Sequence, residues 1–466
     1  MGSFNQEAAP LLPQDLKVSI KECSVVFPSQ LEAQKESTLF LTNIDQVLDF
    51  NVETVHFFAP HAKFPPHVVI EKIKSTFSNL LVPYHFLAGR LKVNRENGRF
   101  EIDCNGVGAG FVVASSDYSL DEIGDMVYPN PAFHHLVTKS LDALFKPDDQ
   151  PLVILQVTLF KCGGFAMGFS TNHCTLDGLS FKLFLDNFAA LADNKPLAVT
   201  PCHDRHLLAA RSPPRVTFPH HELLKLDSPL PSPDSSNASV FEATPQDLDF
   251  KIFKLTATDI ATLKQKAQPI TTGGSDDGHG GKKFRITGFN VVTALVWRCK
   301  ALSLDAEDNH ERPSTLLYAV DIRSRMDPPL PTSYCGNAVL TVYATAKCKE
   351  LEDGPFSRVV EMVSEAAARM TDEYARSAID WGELYKGFPN GEFLVSSWWR
   401  LGFAEVEYPW GKPRYSCPVV CHRKDIILLF PDMNESGKTN NGVNVLVALP
   451  KKQMEKFHTL FKEFMA

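Results

Sequence analysis

Between residues 67 and 91 the chain reads HVVIEKIKSTFSNLLVPYHFLAGRL, and Val69, Ile73, Phe77 and Leu80–Leu81 recur at the intervals of a helix with one apolar face. Pro83 ends that helix, because its ring has no N–H to continue the ladder. The runs PLVILQVTLF (151–160) and FAMGFSTNH (165–173) predict two strands joined by a turn at Gly163-Gly164. From Gly178 onward, Phe181, Phe184, Leu185, Phe188 and Leu191 follow helical spacing. His173 therefore falls at the end of a strand. Asp177 falls where a helix N-cap belongs, a position that favours a short acceptor side chain.

Further along, FNVVTALVWRCKAL (289–302) predicts a buried helix, and STLLYAVDIRSR (314–325) a strand that emerges into charge. RVVEMVSEAAARMTDEYARSAIDW (358–381) predicts one more amphipathic helix. Residues 194–238 change character, being rich in Pro, Ser and His, which suits a long connection rather than a core element. TTGGSDDGHGGKK (271–283) reads as a surface loop. The chain has 466 residues, more than one hydrophobic core usually serves, so two domains of about 200 residues each are expected. The boundaries that follow are 1–193, a linker over 194–238, and 239–466.

Composition narrows the function. The chain is 44% hydrophobic, 22% charged and 10% aromatic, as soluble globular proteins are. A formal charge of -8 argues against nucleic acid as partner. No stretch reads as a signal peptide, and no apolar run reaches the ~18 residues of a membrane span. The expectation is a cytoplasmic protein whose ten cysteines are free thiols. CPVVCH (417–422) has no second ligand pair at zinc spacing and alternates like a strand, so no metal site is assigned.

The chemistry centres on STNHCTLDGLS (170–180), which holds His173 and Asp177 as H-x-x-x-D-G. A histidine at a strand end can serve as a general base. It can equally be held by the nearby helix N-terminus, with Asp177 a plain cap. No G-x-S-x-G elbow and no phosphate-cradling loop accompanies it. What remains is a histidine able to activate a hydroxyl or amine without a covalent intermediate.

Several blocks then carry a resemblance along the whole chain. NHCTLDG (172–178), LLVPYHFLAGRL (80–91), YAVDIRSR (318–325), YCGNAV (334–339), SSWWRL (396–401) and EYPWGKP (407–413) resemble, in order and spacing, the plant BAHD acyltransferases, which are acyl-CoA-dependent. The resemblance implies an α/β fold of two chloramphenicol-acetyltransferase-like domains with mixed β-sheets. A long crossover loop would join them, with an active-site tunnel between them. It implies His173 as general base, and Trp398 as an indole N–H donor to the oxyanion. Asp177 would shape the site by pairing with an arginine, while Arg323 and Glu407 would form a second, structural ion pair. Lys282, Lys283, Arg285 and Thr287, at the start of a helix, would meet the CoA 3′-phosphate or pantetheine.

The family's D-F-G-W-G block departs here to Glu407, Tyr408 and Pro409, and Pro409 fixes φ where glycine was free. Trp410 and Gly411 are intact and read as structural. The implied activity moves an acyl group, aromatic such as hydroxycinnamoyl or benzoyl in preference to aliphatic, from CoA to a hydroxyl or amine. Acyl-CoA would be the co-substrate with no permanently bound cofactor, and the protein a monomer acting on a small-molecule acceptor. Three alternatives stay open: a silent relative acting as an accessory in lipid elongation, a peptide-synthetase condensation domain, and a scaffold.

Overall fold

The computed structural model describes residues 15–30, 37–127, 130–225, 247–268, 285–304, 310–385, 387–419, 425–433 and 439–466. Its frame is two six-stranded mixed sheets. The first holds β1 (Val18–Val26), β3 (Asn51–Phe58), β6 (Ala109–Ser116), β7 (Val153–Leu159), β8 (Phe165–Asn172) and β15 (Tyr415–Pro418), in the order β1-β6-β7-β8-β3-β15. The second holds β10 (Asp249–Leu255), β11 (Pro313–Asp321), β12 (Val339–Lys347), β14 (Phe393–Ser397), β16 (Ile426–Met433) and β17 (Thr439–Leu449), in the order β10-β17-β16-β14-β11-β12. Two small sheets complete the strands: β2 (Thr38–Phe40) with β5 (Phe100–Asp103) and β4 (Arg90–Val93), and β9 (Leu223–Lys225) with β13 (Gly387–Pro389).

Helices α1 (Pro66–Leu80) and α2 (Gly178–Ala192) share a core with the first sheet. α1 buries Val69, Ile73, Phe77 and Leu80, the stripe its spacing predicts. It stops short of the full 67–91 stretch, because Pro83 follows and Arg90 already belongs to β4. α3 (Ala257–Lys266), α4 (Gly288–Leu302), α5 (Cys348–Asp353), α6 (Phe356–Arg369), α7 (Asp372–Leu384) and α8 (Lys451–Met465) belong to the second half. α4 is buried continuously from Asn290 to Leu302, since α3, α5, α6 and α8 all pack on it. The stretch 358–381 is two helices rather than one. The first ends at Arg369, and Thr371 caps the second, its hydroxyl accepting from the Tyr374 N–H at 3.2 Å.

Two features differ from the expected division of the chain. β15 lies in the second half of the sequence yet closes the first sheet, pairing Tyr415 with Phe57 and Cys417 with Val55. Tyr408, Trp410 and Phe403 insert into the first half's core beside it. The connection 194–225 is also more than a spacer. Arg205 and Leu208 are buried, Arg211 binds Asp380 and Glu373, and His220 and Glu222 are sealed against Ser377 and Tyr374 of α7. Buried charge of this kind persists only when paired, and each group here finds its partner across the chain. Among the described residues no helix is long and apolar enough to cross a membrane.

Candidate active site

The β3–β8 ladder runs on for one more residue, the His173 N–H donating to the Phe50 carbonyl at 2.8 Å. A tight turn follows, in which Asn172 accepts the N–H of Cys174 through its side chain at 3.0 Å and the N–H of Thr175 through its carbonyl at 3.1 Å. Asp177 then leaves helical space (φ -83, ψ 178) and its side chain accepts the Ser180 N–H at 2.9 Å, starting α2. The buried face of α2, with Phe181, Phe184, Leu185 and Phe188, anchors that start to the core. So the strand end presents His173 and the helix cap consumes Asp177.

The His173 imidazole is half-buried, edge-on to Phe50 with ring centroids 5.3 Å apart. Its Nδ1 is enclosed and makes no hydrogen bond of ordinary geometry. Burial lowers its pKa, against the pull of the Asp177 and Asp45 carboxylates. The ring is accordingly neutral at pH 7, the form a base requires.

Asp177 turns away from the imidazole. Arg323 Nη2 lies 2.9 Å from both of its oxygens, and the Ala338 N–H donates to Oδ2 at 2.9 Å. Arg323 also reaches Ser180 Oγ, the Gly336 carbonyl and Asp321. Its expected pairing with Glu407 is therefore corrected. Glu407 is 77% exposed, with Lys412 3.9 Å away. The largely buried Arg323 thus has the buried Asp177 as its partner, whereas an exposed pair such as Glu407 and Lys412 contributes little.

A platform from the second half, Tyr334–Ala338, holds the turn in place. Asn337 Nδ2 donates to the His173 carbonyl at 2.8 Å and to Asp45 Oδ1 at 2.7 Å. Arg205 donates through Nη2 to the Thr175 carbonyl at 2.7 Å and through Nη1 to the Cys335 carbonyl at 2.6 Å. A Cβ on Gly336 would lie 1.1 Å from Arg205 Nη1, so glycine is required there for space rather than backbone angle. Asp45, Arg205 and Asn337 were not among the sequence candidates. Asn337 stands in the quoted YCGNAV block and could have been marked. Arg205 sits in a segment whose composition reads as linker, and Asp45 has no local signal.

Trp398 follows β14, with its backbone N–H on the Leu429 carbonyl at 2.8 Å and its ring edge-on to Phe403 at 5.5 Å. It lines a small cleft with Trp399, Phe403, Ser416, Phe430 and Met433. Two contacts locate this block. A Cβ at Gly178, the start of α2, would meet Leu401 at 2.8 Å, and one at Gly288, the start of α4, would meet Trp399 at 3.1 Å. The segment thus touches the helix start behind His173 and the helix start of the expected CoA side. Beside the cleft, Ser416 Oγ lies 2.9 Å from Nδ1 of the buried His56, whose pKa burial pushes down to about 3.

Of the CoA candidates, Lys282 and Lys283 lie outside the described residues, and so do Cys421 and His422. Arg285 is exposed. Thr287 is the N-cap of α4, accepting the Asn290 N–H at 3.1 Å and donating to Asn290 Oδ1 at 2.8 Å. Trp410 is buried against Phe58, Phe64 and Phe165 and stacks on Tyr408 at 5.3 Å. The departure at Pro409 is explained by the turn around it. Tyr408 and Gly411 exchange backbone hydrogen bonds of 3.3 and 2.9 Å, which puts Pro409 at the first corner, where its fixed φ fits. The positive φ falls instead on Gly411, at +106.

Comparison with known proteins agrees with this architecture. The sequence pattern of the Transferase family matches residues 16–464. The chain is 60% identical over 467 residues to Acyltransferase GLAUCE of Arabidopsis thaliana, covering 99% of each. It is 33% identical to omega-hydroxypalmitate O-feruloyl transferase of the same plant, covering 96% of this chain and 93% of the relative. Among solved structures, vinorine synthase superposes with a TM-score of 0.71 at 22% identity, covering 94% of this chain and 96% of that one, which shows the shared fold. With a family match spanning nearly its whole length, the chain belongs to the BAHD acyltransferases and is an acyltransferase of that class.

Proposed function

We propose that this protein transfers an acyl group from coenzyme A to a hydroxyl or amine of a plant metabolite, with His173 as general base and no acyl-enzyme. The observation that carries the reading is the state of His173. It is a neutral, half-buried imidazole at a strand end, anchored through its own backbone, with Asp177 turned away from it. The acceptor O–H or N–H gives its proton to the imidazole as the oxygen or nitrogen bonds to the thioester carbonyl. The tetrahedral intermediate collapses, the C–S bond breaks, and the departing CoA sulfur takes that proton from the imidazolium. Asp177 takes no part in the proton's path; its work is to hold Arg323 and the start of α2.

Direct transfer is supported by the thiol nearest the base in sequence. Cys174 is buried, and burial drives its pKa well up, so it is no thiolate nucleophile. Trp398 is the proposed oxyanion donor, since its block touches the helix start behind His173. Arg285, exposed at the start of α4, is the proposed partner of the CoA phosphates, together with Lys282 and Lys283. An aromatic acyl group is favoured by the feruloyl transfer named for the 33%-identical relative. The protein is proposed to be a cytoplasmic monomer with no permanently bound cofactor.

The test is acceptor-dependent release of free CoA from a panel of acyl-CoAs, with thiol reagent added after quenching. Wild type releases CoA. Folded His173→Ala is expected to lose at least about 100-fold, the usual contribution of a positioned base. Equal rates in both proteins would end the general-base assignment.

A further inference from the structure

From the geometry we infer that Arg205, in the segment that crosses between the halves, is a positioning residue for His173. The inference rests on the reading of His173 as the base. Arg205 opens a short 3-10 turn (Arg205–Leu208) and is 1% exposed, a full positive charge taken out of water. Such a charge is expensive to bury unless its donors are used. Here Nη2 and Nη1 grip the carbonyls of Thr175 and Cys335, and the rings of Phe86 and Tyr334 lie 5.8 and 5.9 Å from the guanidinium carbon. One planar fork therefore ties the turn that carries His173 to the platform of the other half. Both Nη groups are engaged by these carbonyls, so Arg205 acts through the turn and not on the substrate.

Two routes from Arg205 converge on the same three residues. The direct route is the Thr175 carbonyl, two residues after His173. The indirect route runs through Asp45. That buried carboxylate has its pKa raised by burial, with Arg205 the largest opposing influence. Asp45 accepts from Asn337, and Asn337 holds the His173 carbonyl. Losing Arg205 frees the turn at Thr175 and leaves Asp45 without its countercharge, loosening the backbone of the base from both sides. Gly336 belongs to the same arrangement, because any side chain there would displace Nη1.

The experiment compares single-turnover rates, KM values and thermal stability for Arg205→Lys, Arg205→Met and Arg211→Met, with His173→Ala alongside. Arg211 anchors the same segment, its hydrogen bonds going to Asp380, Glu373 and the Arg215 carbonyl and not to the 173–177 turn, so its variant reports what loosening the segment does by itself. Both Arg205 variants are expected to react about 10- to 100-fold more slowly, with KM for acyl-CoA and acceptor within about twofold, as for a misplaced catalytic group. Arg211→Met should lose stability and keep its rate. A wild-type rate in Arg205→Met, or slowing matched by Arg211→Met, overturns the inference. If Arg205→Met does not fold, Arg205→Lys decides alone, since it keeps the charge but loses the two-carbonyl fork. An active His173→Ala would instead defeat the reading of the base, whatever the Arg205 variants do.

Discussion

At His173 burial opposes the proton while Asp177 and Asp45 favour it, and burial wins, so the base is free above its ordinary titration point near 6.5. The rate constant kcat/KM should fall on the acid side with a midpoint below 6.5, as one proton is taken up; a limb centred above pH 7 in a stopped CoA-release assay would contradict this. His56 shows the same physics in stability. The unfolded chain binds its proton near pH 6.5, but the folded chain resists until about 3. Its stabilising effect is therefore complete above pH 6.5 and is lost as pH falls through that window, at about 1.4 kcal/mol per unit. Urea titrations should show a shallower acid loss in His56→Phe than in wild type. Asp177 and Glu407 make a further contrast. Asp177→Asn leaves the largely buried Arg323 with only the part-exposed Asp321 carboxylate and should cost about 3 kcal/mol, whereas Glu407→Ala, at an exposed site, should stay within about 0.5 kcal/mol. The sequence showed Asp177 as a cap because N-caps are local. It could not show the partner of Arg323, which lies 146 positions away.

Elements formed largely as their periodicity predicts, and the misses have local causes. The apolar stripe of 358–381 runs through the break at Thr371 without interruption, so hydropathy alone joins α6 to α7. The capping signal was present in Thr371 followed by Asp372 and Glu373, but periodicity outweighed it. The 194–225 segment misleads in the other direction, since its composition is that of a loop and most of it is exposed or half-buried, yet Arg205, Leu208, His220 and Glu222 are buried. Ser377, His220 and Glu222 stand in the order of a hydrolase relay, at 2.8 and 2.9 Å, yet all three are buried and Ser377 Oγ also accepts the N–H groups of Thr217 and Phe218. Their effect is to fasten the connection to α7. In the 408–411 turn, Gly411 holds φ +106 with nothing within 4 Å of a Cβ. Gly411→Ala should therefore lose about 1 to 3 kcal/mol through backbone strain alone, read as a lower Tm with no repacking.

At the scale of the molecule, the halves are interlocked and not merely joined. β15 closes the first sheet from the second half, and the platform at Tyr334–Ala338 braces the turn that carries His173. A fragment of residues 1–193 would leave the β3 edge unpaired and lack Phe403, Tyr408 and Trp410 from its core. Expressed alone, that fragment and 239–466 should each be aggregated or unfolded, while the intact chain melts in one transition by circular dichroism. Two independent transitions would show that the interlock contributes little.

Taken alone, the sequence determined the strands and helices with clear apolar periodicity, the placing of His173 at a strand end and the capping place of Asp177. Each of these depends on residues within about a turn of one another, which the chain itself brings together. Its ordered blocks also marked the family. Only the tertiary structure decided which arginine answers Asp177, that Arg205 and Asn337 hold the turn after His173, and that β15 belongs to the first sheet. Those contacts join residues 30 or more positions apart, most of them more than a hundred. Their energy comes from burying charge and closing a sheet edge, which no local pattern of residues records.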